Sequence, residues 1–312
     1  MHNELLSLRR WWIAVRPFAF PASTMPVVFG TVLAVTVGGA PFNVPLFVAA
    51  LLAMMLLHAG ANILSDVRDD GRGLDTVPLP VSGAIVRGIM TPRTAFVGSL
   101  AMTGLGSAIG FAIAAAVGWP IIGIGAFGVA LGVLYSTGPF PLKYHAFGDF
   151  AVFLNFGILG ALGAWTVQTG SLSWVPVIWT VPSSLLVAGI LHANNWRDIP
   201  SDTTCGIRTV ASILGDRLSA AYYGFLIFGP FAFVVVLVIA THALKLDPIA
   251  PTTFLVTLLA LPFAWKLMRR GIERRSPRQP FDFATLDGAT AQLNLVFGLL
   301  ATGALVLGAA IG

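Results

Sequence analysis

The sequence is poor in cysteine and in charge. Its 312 residues include one cysteine, Cys205, which excludes an internal disulfide and a metal site built from cysteines alone. Only 10% of the residues are charged and 56% are hydrophobic, whereas a soluble domain carries roughly a quarter charged residues. These shortages exclude disorder, a coiled coil and a disulfide scaffold. The net charge of +5 could indicate a nucleic-acid binder, but such a protein carries its basic residues on a polar, hydrated face, and the high apolar content argues against one.

Long apolar runs recur along the chain, and a helix needs roughly 20 such residues to cross the hydrocarbon core. We predict nine transmembrane helices at about 19–38, 44–64, 94–117, 119–136, 148–168, 174–194, 218–241, 249–268 and 288–311. The predicted fold class is all-α: a polytopic membrane protein with its helices in a single bundle around a central cavity open to the cytoplasmic side. We expect one domain over 1–312, with two halves at about 1–140 and 141–312.

The basic residues are distributed very unevenly between the two predicted faces. Seventeen of the 18 Lys and Arg residues fall on the face that carries the N-terminus, and Lys245 alone falls on the other. The positive-inside rule assigns the crowded face to the cytoplasm. We therefore expect a multi-pass protein of the cell (inner) membrane with a cytoplasmic N-terminus. The acidic residues crowd onto the same face, which this rule does not explain.

A polar motif of the form N-x-x-x-D-x-x-x-D closes two of the predicted spans. It occurs twice, 132 residues apart, at Asn62, Asp66 and Asp70 and at Asn194, Asp198 and Asp202. Residues four apart share one face of a helix, so each copy projects a stripe of oxygen ligands. Asp69 is expected to point away from the first stripe.

Four carboxylates around one cavity repel one another unless cations lie between them. Carboxylate and amide oxygens with open positions suit Mg²⁺, which is usually shared with the phosphates of a substrate. We predict that all six motif residues are magnesium ligands. A diphosphate head with a long apolar tail explains why the site belongs to a helix bundle in a membrane, and polyprenyl diphosphate fits that description.

Several segments resemble known intramembrane enzymes over nearly the whole chain. They are the Asp-rich motif pair, the Ala-Val-Arg-Pro stretch ending at Pro17 with Phe20-Pro21-Ala22, the run Tyr135-Ser136-Thr137-Gly138-Pro139 with Leu142-Lys143, and Gly206 and Thr209 after the second motif. Together they resemble the UbiA superfamily of prenyltransferases. The second motif and residues 143–149 are most similar to the branch that prenylates 1,4-dihydroxy-2-naphthoate in menaquinone biosynthesis.

The resemblance implies an Mg²⁺-dependent transfer of a polyprenyl group to an aromatic acceptor, giving demethylmenaquinol in that branch. It implies catalytic roles for the four motif aspartates, for Tyr135 beside the allylic cation and for Lys143 at the diphosphate. Substrate-binding roles follow for Asn62, Asn194, Arg197, Ser136 and Arg72. We expect membrane lipid around the protein, no nucleic acid and no obligate protein partner.

One segment departs from the family pattern. Many relatives have Arg-Pro-Leu after the first motif, whereas residues 78–83 read Pro-Leu-Pro-Val-Ser-Gly. Arg72 or Arg87 is the candidate replacement for the missing cation.

Several alternatives stay open at this point. The acceptor could be 4-hydroxybenzoate, homogentisate, a chlorophyllide or a glyceryl phosphate lipid. A secondary transporter also carries intramembrane acids, but near the bilayer midplane rather than at span ends. Arg197 either contacts phosphate or orients Asp198. His58 and His192 are either functional or hydrogen-bonded between helices, and the role of Asp149 is open.

Overall fold

The computed structural model describes residues 2–74, 83–273 and 285–311, and the side chains within these ranges from Arg9 onward. Every regular element in the described ranges is helical. The helices are α1 (His2–Val15), α2 (Pro21–Thr36), α3 (Val44–Asp70), α4 (Pro92–Val117), α5 (Pro120–Ser136), α6 (Gly148–Thr169), α7 (Val175–Trp179), α8 (Val181–Arg197), α9 (Ile199–Thr204), α10 (Val210–Ala243), α11 (Leu261–Glu273) and α12 (Leu286–Ile311).

Local sequence signals set several helix starts. The Asn43 side chain accepts a hydrogen bond from the Leu46 amide at 3.1 Å and caps α3. Thr209 and Ser212 cap the start of α10 reciprocally, each accepting from the backbone amide of the other. Such caps satisfy amides that have no partner within the first turn.

The predicted all-α membrane fold is confirmed, whereas the number of spans stays a prediction. In the described ranges five helices are long and apolar enough to cross a membrane: α3, α4, α6, α10 and α12. A sixth span results if residues 9–19 and α2, which meet at 56°, are counted together. The predicted spans at 174–194 and 249–268 are both interrupted. Proline within the first turns of α7 and α8 separates those two helices, and a 3₁₀ segment, Thr252–Ala260, precedes α11.

Close helix packing determines how α3 is turned. A methyl group added to Gly60 of α3 would lie 2.4 Å from Thr103 Oγ1 of α4, so the two helices meet at that glycine. A second packed group is formed by α8, α10 and α12, which bury large core side chains that include Trp196, Tyr223 and Phe297. Each of these two packed groups thus contains one helix, α3 or α8, that ends in an Asp-rich motif.

Candidate active site

A cavity of about 380 Å³ lies between the two helices that carry the motifs, α3 and α8. The α3 wall consists of His58, Ala61, Asn62, Ser65 and Asp69, and the α8 wall of Val187, Ile190, Leu191, Asn194, Asn195 and Arg197. Along each helix the wall becomes more polar towards the motif. Such a gradient fits a ligand with an anionic head and an apolar tail.

The first motif faces the cavity in a different register from the one predicted. Asn62 and Asp69 line the cavity, whereas Asp66 and Asp70 are absent from the described wall. At 100° per residue, Asp69 lies about 180° around α3 from Gly60, the contact with α4. The prediction that Asp69 points away is therefore wrong, because the α3–α4 contact turns Asp69 towards the cavity.

Asp66 is buried and forms an ion pair with Arg16, which itself lines the cavity. Arg16 follows α1 in a left-handed conformation, with a φ of 54°, and this conformation is uncommon for a residue other than glycine. Asp66 therefore contributes to the cavity indirectly, by holding the Arg16 guanidinium that lines it.

Asp69 is the centre of a compact polar cluster. Lys143 Nζ lies 2.6 Å from both carboxylate oxygens of Asp69 and donates to Ser65 Oγ at 2.6 Å. The Tyr144 hydroxyl donates to Asp69 at 2.8 Å. Burial and the Asp69 charge raise the pKa of Tyr144, so the phenol stays a donor. The predicted site residue Lys143 is thus brought to the first motif.

The second motif straddles a break between two helices. Helix α8 ends at Arg197, Asp198 is not helical, and Pro200 lies in the first turn of α9. Asp198, Asp202 and Asn194 all line the cavity, as predicted. Arg197 donates to Asp198 at 2.7 Å and to Asp287 at 3.4 Å. Of the two alternatives for Arg197, the pairing with Asp198 is the one that the structure shows.

Negative charge accumulates around Asp202. Burial raises the pKa of Asp202 to about 7, the Asp198 and Asp69 carboxylates add to that rise, and a hydrogen bond from Thr209 and the Lys143 charge oppose it. Asp69 and Asp202 therefore interact electrostatically across the cavity, although they come from opposite halves of the sequence.

The remaining predicted residues divide into two groups. Tyr135 lines the cavity, whereas Ser136 is buried away from it. Arg72 is exposed and lies over the Tyr144 ring, 4.1 Å from its centroid, so it supports a cavity residue from outside. Residues 78–82 of the departing segment lie outside the described residues.

Comparison with known proteins decides the family. Residues 23–286 match the UbiA prenyltransferase family. The chain belongs to the UbiA prenyltransferase family. It is therefore an enzyme, a prenyltransferase, and an integral multi-pass membrane protein, as the sequence resemblance predicted. It is 31% identical over 290 residues to the 1,4-dihydroxy-2-naphthoate octaprenyltransferase of Bacillus subtilis, covering 93% of this chain and 89% of that protein.

The chain is also similar to other UbiA-family proteins, in sequence over most of its length and in fold. The human UbiA prenyltransferase domain-containing protein 1 is 30% identical over 92% of this chain and 80% of its own length. A UbiA homologue from Archaeoglobus fulgidus, solved with GPP and Mg²⁺, superposes with a TM-score of 0.62 at 17% identity, covering 94% of this chain and 99% of its own. At that identity the similarity shows the fold alone.

The donor set of this UbiA-family cavity suits magnesium shared with a substrate. Asp69, Asp198 and Asp202 supply hard oxygen donors, and burial together with the neighbouring carboxylates raises the pKa of Asp202. Within the described ranges no three His, Cys, Asp or Glu side chains are close enough to enclose one ion. Mg²⁺ normally takes one or two carboxylates and completes its shell with water and phosphate oxygens. The residues therefore fit metal held jointly by protein and diphosphate.

A buried network beside the cavity was not predicted in this form. Asp149 lies 3.3 Å from His192 Nδ1 and from Asn195 Nδ2, and His192 Nε2 lies 3.2 Å from the Ser219 carbonyl. That carbonyl can only accept, so Nε2 is the donor in its contact with Ser219. His192 bridges α8 and α10, and Asp149 holds Asn195 at the cavity wall.

His58 also bonds between helices. Its Nδ1 lies 2.8 Å from Ser23 Oγ of α2. Arg16, Ser65, Asp69, Tyr144 and Asp287 are further wall residues that the sequence analysis missed. Their signal was limited to charge or polarity at predicted span ends.

Proposed function

We propose that this chain transfers a polyprenyl group from polyprenyl diphosphate to 1,4-dihydroxy-2-naphthoate with the help of Mg²⁺, giving demethylmenaquinol. The observation that carries the proposal is a single cavity whose polar end joins both Asp-rich motifs to Lys143 while its other end is apolar. The acceptor is inferred from the relative in Bacillus subtilis, whose name states that substrate.

The polar end is where we expect the diphosphate. Asp69, Asp198 and Asp202, with Asn62 and Asn194, would hold the metal. Bound Mg²⁺ would neutralise charge on the diphosphate as it leaves. The other two predicted first-motif ligands, Asp66 and Asp70, do not line the described cavity wall, and Asp66 is paired with Arg16.

The basic residues at the polar end would also stabilise the negative charge of the diphosphate. Lys143 and Arg16 line the cavity beside Asp69 and Asp66 respectively. Both can form charge-assisted hydrogen bonds to diphosphate oxygens, and such bonds strengthen as negative charge develops on the leaving group.

The apolar end accounts for the tail and for the exclusion of water. Val187, Ile190 and Phe156 line it, and an allylic cation formed beside such walls is shielded from hydrolysis. The Tyr135 ring presents a π face that favours a nearby cation. Pyrophosphate leaves first with the electron pair of the C–O bond, which gives this cation. The acceptor ring then attacks the allylic carbon from the ring carbon that carries the carboxylate, and loss of CO₂ returns an electron pair to the ring.

The placement in the cell completes the proposal. We propose a single catalytic domain over 1–312 in the cell (inner) membrane, with the polar end of the cavity and the N-terminus on the cytoplasmic side. The charge asymmetry of 17 Lys and Arg against one supports that orientation.

The direct test is a competition between acceptors. Purified protein in detergent receives geranyl diphosphate, Mg²⁺ and equal amounts of 1,4-dihydroxy-2-naphthoate and 4-hydroxybenzoate. We expect prenylation of the naphthoate with release of CO₂. Preferential prenylation of 4-hydroxybenzoate would refute the acceptor while leaving the prenyltransferase assignment intact.

A further inference from the structure

Asn155 is a polar residue in a mainly apolar part of the cavity wall, a part that also contains His58, whose ring centroid lies 4.4 Å from that of Phe156. It lies within α6, one of the helices able to span the membrane. The helix starts beside Lys143, since a methyl group added to Gly148 would lie 3.5 Å from Lys143 Cα. At about 1.5 Å per residue, Asn155 is roughly 10 Å further along the helix. It therefore lies well away from the place expected for the diphosphate.

The backbone around Asn155 is irregular. Residues Phe153–Leu159 form a π-helical segment between two α-helical parts of α6. Such segments are rare and occur often at functional sites, because the wider turn displaces side chains from their ordinary directions. Here the wider turn coincides with Asn155, which lines the cavity.

The Asn155 amide makes no hydrogen bond to any other described residue. An asparagine within a membrane helix normally bonds to a neighbouring helix, because an unsatisfied amide in an apolar environment is costly. Helix α5 faces this amide with glycines instead. A methyl group on Gly128 would lie 3.0 Å from Asn155 Oδ1, and one on Gly132 would lie 3.9 Å from Nδ2.

We propose that the Asn155 side chain binds an oxygen substituent of the aromatic acceptor and so helps to select it. This inference rests on the proposed function. The prenyl tail has no polar atom, and the diphosphate belongs with the motifs and Lys143, so the acceptor is the substrate left to satisfy this amide. An amide both donates and accepts, and it can therefore pair with a hydroxyl or a carboxylate. The glycines of α5 pass close to this amide without a side chain that would bond to it.

The test separates acceptor binding from donor binding. Asn155→Leu keeps the size and removes the polar atoms. We expect KM for 1,4-dihydroxy-2-naphthoate to rise about tenfold, the effect of one lost hydrogen bond, and KM for geranyl diphosphate to stay within twofold. Equal changes in both constants, or no change in either, would overturn the proposal.

Two inhibitors identify the bonded oxygen without depending on their reactivity. 1-Hydroxy-2-naphthoate lacks the 4-hydroxyl group, and 1,4-dihydroxynaphthalene lacks the carboxylate. For each compound, the ratio of its competitive Ki to the KM of the acceptor measures how strongly the enzyme prefers the acceptor. A third compound, 4-hydroxy-2-naphthoate, lacks the 1-hydroxyl group and is measured in the same way. For one of these compounds the ratio should be about tenfold smaller in Asn155→Leu than in the wild-type protein. Unchanged discrimination against all three compounds would overturn the assignment.

Glycine variants supply a second route if Asn155→Leu does not fold. Gly128→Ala crowds the amide and should raise the acceptor KM. Gly125→Ala on the same helix has open space around the new methyl group and should not. Equal effects of the two would count against the proposal. If the wild-type protein prenylates a different acceptor, the proposed function fails separately, and the comparison is repeated with that acceptor and its des-oxygen analogues.

Discussion

At the scale of single residues, the rotation of one helix decides which aspartates reach the substrates. The motif spacing pairs Asp66 with Asp70, but the contact of α3 with α4 at Gly60 turns Asp69 into the cavity instead. Lys143, Ser65 and Tyr144 then converge on or around Asp69. Among the aspartates at the end of α3, Asp69 is thus the one that lines the described cavity wall.

Neighbouring aspartates provide a matched pair for testing this register. Asp69→Asn should lower kcat/KM for prenyl transfer by orders of magnitude, because it removes a charge that faces the diphosphate site. Asp70→Asn, which changes a residue outside the described cavity wall, should keep activity within a few-fold. Steady-state kinetics on both purified variants make the comparison, and an equal loss in Asp70→Asn would restore the register that the sequence spacing predicts.

Removal of metal is expected to stop transfer. Asp69, Asp198 and Asp202 crowd negative charge against the site of an anionic substrate, so binding of the diphosphate needs a cation between them. EDTA should reduce product formation to background, and excess Mg²⁺ or Mn²⁺ should restore it. Full activity in chelator, with metal content verified as negligible, would refute the shared-metal site.

Sequence spacing anticipates the second motif better than the first, for a physical reason. Asn194, Asp198 and Asp202 line the cavity as predicted, since the break at Asp198 still leaves both carboxylates beside it. Asp69 and Arg16 were missed because helix rotation and a left-handed backbone depend on tertiary contacts. Local spacing carries no information about either.

At the scale of helices, small residues allow the close contacts that position the cavity wall. Gly60 abuts Thr103 between α3 and α4, and Gly157 in the π-helical segment abuts Ser184 of α8. Small residues at interfaces let membrane helices approach closely. The sequence shows the glycines but not their partners, so it could not predict the π-helical segment that carries Asn155.

The α3–α4 contact gives a prediction about stability. Gly60→Ala would bring a methyl group to 2.4 Å from Thr103 Oγ1, and overpacking of this kind costs about 1–3 kcal/mol. The midpoint of thermal unfolding in detergent should therefore fall by several degrees. Gly104→Ala, next to Thr103 with nothing near its new methyl group, is the control and should leave the midpoint unchanged. Similar midpoints for both variants would contradict the close contact.

At the scale of the whole molecule, composition alone predicts an all-α membrane protein, and the structure agrees. The count of spans is harder to predict, because hydropathy does not register helix breaks. The apolar run at 174–194 is divided between α7 and α8, and that at 249–268 between a 3₁₀ segment and α11. Whether the second of these runs crosses the membrane decides the orientation of everything after it.

Cysteine mapping tests that crossing directly. Lys245 follows α10, and Glu273 ends α11, so the nine-span arrangement puts them on opposite faces, with position 273 in the cytoplasm. The native Cys205 is exposed and marks the predicted cytoplasmic face in the unmodified chain. In a Cys205→Ser background, Lys245→Cys should react with a membrane-impermeant maleimide in intact cells, whereas Glu273→Cys should react only after permeabilisation. Labelling of both positions from one side would mean that the segment between them does not cross, and the charge asymmetry would then have to be counted again with one span fewer.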